Sequence, residues 1–212
     1  MPQLLIATTN PGKFKEISDF FVGSGIETLS LDKFSDAGDV PEVGKTFLEN
    51  ATIKAIGYFK RCGVPVVADD GGLEIEALGG EPGVTSRRWR DGKTEMTDQE
   101  IVDYTLEKLK NVPPGKRTAR LVVEMVFYNG KQFISGQGFV LGSIATELTR
   151  EIQAGYPFRS LFIVKHFNKF YQDLTDQEHE LINHRRDVLR RISGFIKCEL
   201  SLPNASGESG GR

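Results

Sequence analysis

Three features of the chain predict an α/β protein. Short apolar runs that read as strands alternate with amphipathic segments that open on helix-capping signals. The run Val66-Val67-Ala68 ends abruptly in Asp69-Asp70-Gly71-Gly72, which places two carboxylates at a strand tip. The pair Asn129-Gly130 separates two strand-like runs and is a strong short-range hairpin signal. At 212 residues the length suits one domain, or two small lobes sharing a core. The expected division is one folded unit over residues 1–200 and a Gly/Ser-rich, disordered tail over 201–212.

Composition removes several function classes. Hydrophobic residues at 39% and charged residues at 26% are ordinary for a globular protein. A net charge of -2 gives no bulk attraction to nucleic acid or to an anionic membrane. Cys62 and Cys198 are far apart and lack metal-type spacing, so a reducing cytoplasm is expected and a disulfide framework is not. The start Met1-Pro2-Gln3-Leu4-Leu5-Ile6 has no basic flank or long apolar run, so no secretory signal is read there. No apolar stretch approaches the ~20 residues of a membrane span.

Taken in order, residues 4–8 read as a first buried strand. Asn10 then caps a helix beginning at Pro11 and running to about Phe21, with Gly23 beyond its end. A strand tip feeding a helix N-terminus suits a phosphate, because backbone N–H groups and the positive end of the helix dipole converge there. Thr8 and Asn10 add donors and Lys13 adds a charge, although simple capping and a solvated lysine account for the same residues. Residues 26–31 form a second strand. Residues 32–45 form a polar loop longer than most connections, which marks it as a carrier of function, and Glu42 sits within it.

Thr46 and Glu49 form a capping box for the next helix, whose packed stripe is Phe47, Ala51, Ala55 and Tyr58. Asn50 and Lys54, four apart, share another face and point together into a cleft in the functional reading. The central stretch follows as strand, turn and strand, with Gly71-Gly72 turning the backbone and Leu73, Ile75 and Ala77 alternating with Glu74 and Glu76. Carboxylates so close to a core are costly without a cation or strong donors, so Asp69-Asp70 reads either as a turn cap or as a divalent-metal site.

Arg87, Arg88, Trp89 and Arg90 read as a phosphate or single-strand grip, or as a solvated loop over one tucked aromatic. Thr97 and Glu100 box a third helix that runs to about Lys110. Strands over residues 119–128 and 131–140 flank Asn129-Gly130. Residues 152–168 are irregular. Thr175 and Glu178 then box a C-terminal helix with the apolar row Leu181, Val188, Leu189, Ile192, Phe195 and Ile196. His184 and Arg185 interrupt that row. An arginine there needs an internal carboxylate or a ligand.

Three separated stretches coincide with one family's pattern: residues 7–13 (Ala-Thr-Thr-Asn-Pro-Gly-Lys), residues 42–51 with Lys54-Ala55, and residues 68–73 through Pro82-Gly83 and residues 86–88. With Asn183-His184-Arg185 near the end, the chain resembles the Ham1-type inosine/xanthosine triphosphate pyrophosphatases. The resemblance implies a mixed β-sheet with flanking helices, two lobes around a central cleft, and a homodimer. It implies magnesium-dependent hydrolysis of non-canonical purine triphosphates such as ITP, dITP and XTP to the monophosphate and pyrophosphate. It also implies residue roles. Thr8, Thr9, Asn10, Lys13 and Lys54 hold the triphosphate, and Glu42 and Asp70 hold the metal. Asp69 lies beside them, completing a set of three carboxylates suited to the ion and counting with Asp70 as catalytic, and Asp70 orients or deprotonates the attacking water. Asn50, Gly71, Arg88, Tyr156 and Lys169 complete the substrate contacts, and His184 and Arg185 help hold the purine.

The chain departs from that pattern in four places. Gly71 stands where a serine is usual. Ala154-Gly155-Tyr156-Pro157-Phe158-Arg159-Ser160 replaces Phe-Gly-Tyr-Asp-Pro, with two extra residues and no aspartate. His179 stands where a lysine is usual, and Asn183 where a serine is usual. Three of the four fall where the base is read, so pyrophosphate release is the better-supported expectation and base preference the weaker. Two alternatives stay open: a pyrophosphatase for another modified nucleotide, and a nucleotide- or RNA-binding module that has lost catalysis and grips through Arg87, Arg88 and Arg90.

Overall fold

The computed structural model describes residues 1–201. The expected tail therefore lies outside the described residues, Ser201 excepted. β1 (Gln3–Ala7) is buried at every position after Gln3, as a strand covered on both faces must be. Asn10 caps α1 (Pro11–Phe21), its side-chain oxygen accepting from the N–H groups of Gly12 at 2.9 Å and Lys13 at 3.2 Å. β2 (Glu27–Leu29) is shorter than expected. The Thr46/Glu49 capping box opens α2 (Phe47–Cys62), and Phe47, Ala51, Ala55 and Tyr58 are its buried stripe together with Asn50.

The central stretch corrects the sequence reading. β3 (Val66–Ile75) is one continuous strand, with no turn at Gly71-Gly72. It pairs antiparallel with β4 without interruption from Val66↔Tyr128 to Ile75↔Ala119. The glycines serve close approach instead. A Cβ on Gly71 would stand 2.3 Å from the Val122 carbonyl oxygen, and one on Gly72 would stand 3.0 Å from Ser86 Oγ. Residues 76–78 form a 3₁₀ turn rather than a strand extension.

α3 (Asp98–Leu109) opens on its Thr97/Glu100 box. β4 (Thr118–Tyr128) and β5 (Phe133–Ile144) form the long hairpin, with Tyr128 opposite Phe133. Its turn spans residues 129–132 rather than Asn129-Gly130 alone. The Asn129 side chain accepts from the N–H groups of Lys131 and Gln132, which keeps those residues out of the strand. β6 (Phe162–Val164) and β7 (Lys169–Phe170) arise within and beside the stretch read as irregular.

The C-terminal helix is two helices, α4 (Asp176–Leu181) and α5 (His184–Ser201). The Asn183 side chain accepts from the Arg186 N–H at 2.9 Å and starts a new helix there. Leu181, expected in the buried row, is 77% exposed as a result.

The seven strands form one mixed sheet in the order β2-β1-β3-β4-β5-β6-β7. β1 runs parallel to β2 and β3, and the remaining pairs are antiparallel. Alternation along each strand divides the core. Leu4, Ile6, Val67 and Met125 pack beneath α1 and α5, whereas Leu5, Ala7, Val66 and Ala68 pack beneath α2. A third cluster joins α3 through Ile101, Val102 and Leu109 to Leu73, Ile75, Ile144 and Phe162. The cleft opens between these packing regions. No helix among the described residues is long and apolar enough to cross a membrane.

Candidate active site

A cleft of about 620 Å³ runs from the β1–α1 junction, past the middle of β3, to the N-terminus of α5. Its chemistry follows from which way consecutive β3 side chains point. Asp70 is on the α2 side of the sheet, in line with Ala68, and Lys54 of α2 reaches toward it. The Lys54 ammonium is 3.5 Å from Asp70 Oδ1 and 3.4 Å from Glu42 Oε1. The long loop and the central strand thus deliver one carboxylate each to one cationic point.

Asn50, one turn before Lys54, is buried and does not line the cleft. Its side-chain oxygen accepts from the Gly44 N–H at 2.8 Å, and its amide favours the charged form of Asp70. It ties the Glu42 loop to the strand. Burial raises the Asp70 carboxyl above its ordinary range; Lys54 opposes this and Glu42 adds to it. Burial pulls the Lys54 ammonium down, but Asp70, Asp69 and Glu42 outweigh it, and the net shift is upward.

Asp69 is on the other side of the sheet. Its carboxylate is 1% exposed, 3.1 Å from Lys13 Nζ and 3.2 Å from Arg185 Nε. Arg185 also pairs with Glu16 at 2.6 Å. Burial pushes the Asp69 carboxyl up, but Lys13 and Arg185 overcome it and hold it well below the carboxylate range. Asp69 therefore does not join Glu42 and Asp70. The expected three-carboxylate set is two carboxylates, and among the described residues no cluster of three His, Cys, Asp or Glu side chains gathers to hold a metal. Two carboxylates still fit a hard divalent cation that takes its other oxygens from phosphate and water.

At the β1–α1 end, Thr8, Thr9, Asn10 and Lys13 line the cleft. The helix N-terminus is less open than its sequence implies, because Asn10 already accepts two of its N–H groups. The Tyr156 hydroxyl closes over the same Asn10 oxygen at 3.3 Å. Gly71, Arg87 and Arg88 line the opposite wall. Arg87 pairs with Asp98 and Arg90 with Glu100, whereas Arg88 has no ion pair among the described residues. Trp89 is buried with its indole N–H on Glu81, so the basic run is mostly a loop over one tucked aromatic.

Beyond Tyr156 the cleft is lined by Arg159, Tyr171, His184 and Arg185. Burial, then the neighbouring guanidinium of Arg185, lowers the His184 imidazole to about 3, so it is neutral, and its buried Nδ1 has no partner among the described residues. Lys169 is a correction. It is half-exposed on β7, 2.6 Å from Glu178, and does not line the cleft. The short β7 directs it to α4 instead. Sequence reading missed Glu16, whose role depends on a contact 169 residues away, and Arg159, which lies in the inserted stretch.

A Ham1 family sequence model matches residues 4–195. The chain belongs to the Ham1 family. It is 36% identical over 199 residues to the dITP/XTP pyrophosphatase of Bacillus subtilis (strain 168), covering 93% of this chain and 98% of that one. It is also 36% identical over 205 residues to the enzyme of the same name from Aquifex aeolicus (strain VF5), with the same coverage. Among solved structures, a HAM1 protein from Coxiella burnetii superposes with a TM-score of 0.81 at 30% identity, covering 92% of this chain and 98% of that one. The Ham1 fold accounts for the mixed sheet, and its shared extent includes every cleft residue described above.

Proposed function

We propose that the chain is a magnesium-dependent nucleoside triphosphate pyrophosphohydrolase that converts dITP and XTP to the monophosphate and pyrophosphate. The observation that carries this is Lys54 set between Glu42 and Asp70, facing a wall of phosphate-type donors. Dedicated binders have no use for carboxylates gathered beside phosphate, so the arrangement favours hydrolysis over a module that has lost catalysis.

In this reading Thr8, Thr9, Asn10 and Lys13 hold the triphosphate along the β1–α1 wall, with Arg88 on the opposite wall. Glu42 and Asp70 would hold the divalent ion, which would neutralise charge on the phosphoryl oxygens. Asp70 orients a water for in-line attack at the α-phosphorus and accepts its proton, and the α–β anhydride bond breaks to release pyrophosphate. A carboxyl raised above its ordinary range by burial is a better proton acceptor than an ordinary one. Lys54 balances the carboxylates and meets the phosphate oxygens. Asp69 acts only through Lys13 and Arg185, which it holds in place. Tyr156, His184 and Arg185 form the base end.

Both cysteines are unpaired, which suits a cytoplasmic role in cleaning the nucleotide pool. A homodimer is part of the proposal; Phe139 and Leu141, half-exposed on β5, are apolar residues available to it. The test is turnover of ITP, dITP, XTP, dUTP, ATP and GTP with magnesium and then with chelator. Magnesium-dependent release of pyrophosphate from the inosine and xanthosine nucleotides is expected. Release of orthophosphate, or turnover indifferent to chelation, refutes it.

A further inference from the structure

The inserted stretch places a guanidinium where the cleft ends. Arg159 Cζ stands 3.8 Å from the centroid of the Tyr156 ring and 4.9 Å from that of Tyr171. Contact with two aromatic rings holds the guanidinium in place, and Arg159 lines the cleft there. One N–H donates to Gln153 Oε1 at 3.1 Å, and Arg159 has no ion pair among the described residues. Arg185, the other guanidinium here, is neutralised by Asp69 and Glu16. Arg159 lies close enough to His184 to help hold that imidazole neutral. This end of the cleft therefore carries one uncompensated positive charge, from a planar donor set beside Tyr156.

We infer that Arg159 determines base specificity and favours a dioxo purine, xanthine, over hypoxanthine. The inference rests on the pyrophosphohydrolase reading above and names the substrate class of that same site. A guanidinium offers donors only, so it rewards the carbonyl oxygens of a base and penalises exocyclic amino groups. Xanthine presents two carbonyl oxygens where hypoxanthine presents one, and its ring is acidic enough to carry negative charge near neutral pH. Hypoxanthine is neutral there. An unpaired cation separates those two bases, whereas a neutral donor would separate them weakly. Guanine, with an amino group in place of the second oxygen, gains no more from Arg159 than hypoxanthine does.

The test compares kcat/KM for XTP and ITP in the full chain and in Arg159→Gln and Arg159→Lys. The wild type prefers XTP. Arg159→Gln is expected to lower the XTP-to-ITP ratio about 10- to 100-fold, the size of a hydrogen bond to a charged group, with the change in KM for XTP and little change for ITP. Arg159→Lys keeps the charge and loses the planar fork, so it retains part of the preference. A wild type that prefers ITP, an unchanged ratio in Arg159→Gln, or equal losses for both nucleotides (a phosphate contact rather than a base contact) overturns the inference. Calorimetric binding of XMP and IMP to the wild type supplies a reading that does not need turnover. Tighter XMP binding with no hydrolysis of either triphosphate sinks the pyrophosphohydrolase reading and leaves Arg159 as the base reader. Equal binding of the two monophosphates sinks the inference itself.

Discussion

Asp69 and Asp70 are adjacent in β3 and face opposite sides of the sheet. Asp69 is held at 3.1 Å by Lys13, and Asp70 faces Lys54 at 3.5 Å on the other side. Strand alternation alone separates them. Two neighbouring carboxylates thus take different work. One anchors Lys13 of α1 and Arg185 of α5, and the other is presented to the cleft beside Glu42. The same substitution at the two positions should therefore have opposite effects on stability.

Asp69→Asn leaves Lys13 and Arg185 facing a neutral group in a site that is 1% exposed on the aspartate side. Removing one partner from a buried ionic cluster costs ~3–5 kcal/mol. Urea unfolding should show a loss of that order, with activity falling because Lys13 is no longer positioned. A variant within about 1 kcal/mol of wild type, below that range, would show that the cluster contributes little to folding.

Asp70→Asn should do the reverse. Burial already opposes the charge on Asp70, so neutralising it leaves stability nearly unchanged or raised. Turnover should fall at least ~10²-fold, as when an electrostatic stabiliser is removed. Nucleotide should still bind, because the β1–α1 wall is untouched. Calorimetric titration beside pyrophosphate release separates the two effects; turnover at the wild-type rate would take Asp70 out of the chemistry.

Asn50→Ala removes the acceptor for the Gly44 N–H and the donor beside Asp70 in one step. The Glu42 loop then loses its tether to α2. Outer partners of metal-holding carboxylates typically matter by 10–100-fold, so the magnesium concentration for half-maximal activity should rise by about that factor. Raising magnesium should restore much of the rate. Failure of excess magnesium to rescue would assign Asn50 to packing alone.

These assignments divide along a physical line in how much the sequence revealed. Local signals were legible: the Asn10 cap, the three capping boxes and the stripe Phe47, Ala51, Ala55, Tyr58 each depend on residues within one or two turns. The convergence of Glu42, Lys54 and Asp70 was legible through the family's motif order. What failed depended on partners distant in sequence. Gly71-Gly72 reads as a turn until β4 is seen pressing against it, with Val122 in the way of any Cβ. Asp69 reads as a metal ligand until Arg185 is found 116 residues away. Lys169 reads as a substrate contact until α4 brings Glu178 to it. Leu181 reads as core because nothing nearby announces that Asn183 restarts the helix.

His184 makes stability depend on pH. Burial and the Arg185 guanidinium lower its imidazole from 6.5 to about 3 in the folded chain. In the unfolded chain the ring takes up a proton near pH 6.5. Between those values the unfolded state binds one more proton, so stability falls as pH drops through the window and is unaffected by this group above it. One proton gives a slope of at most about 1.4 kcal/mol per pH unit. Burial lowers His179 as well, so the wild-type profile sums two rings of the same sign. His184→Asn removes one ring and keeps a polar group at the cleft. Measured by urea unfolding between pH 7 and pH 5, the wild type should lose about 2 kcal/mol more than the variant, from that slope acting over roughly 1.5 pH units. Parallel profiles would mean that the His184 ring takes up its proton in the folded chain as readily as in the unfolded one, despite its burial beside Arg185.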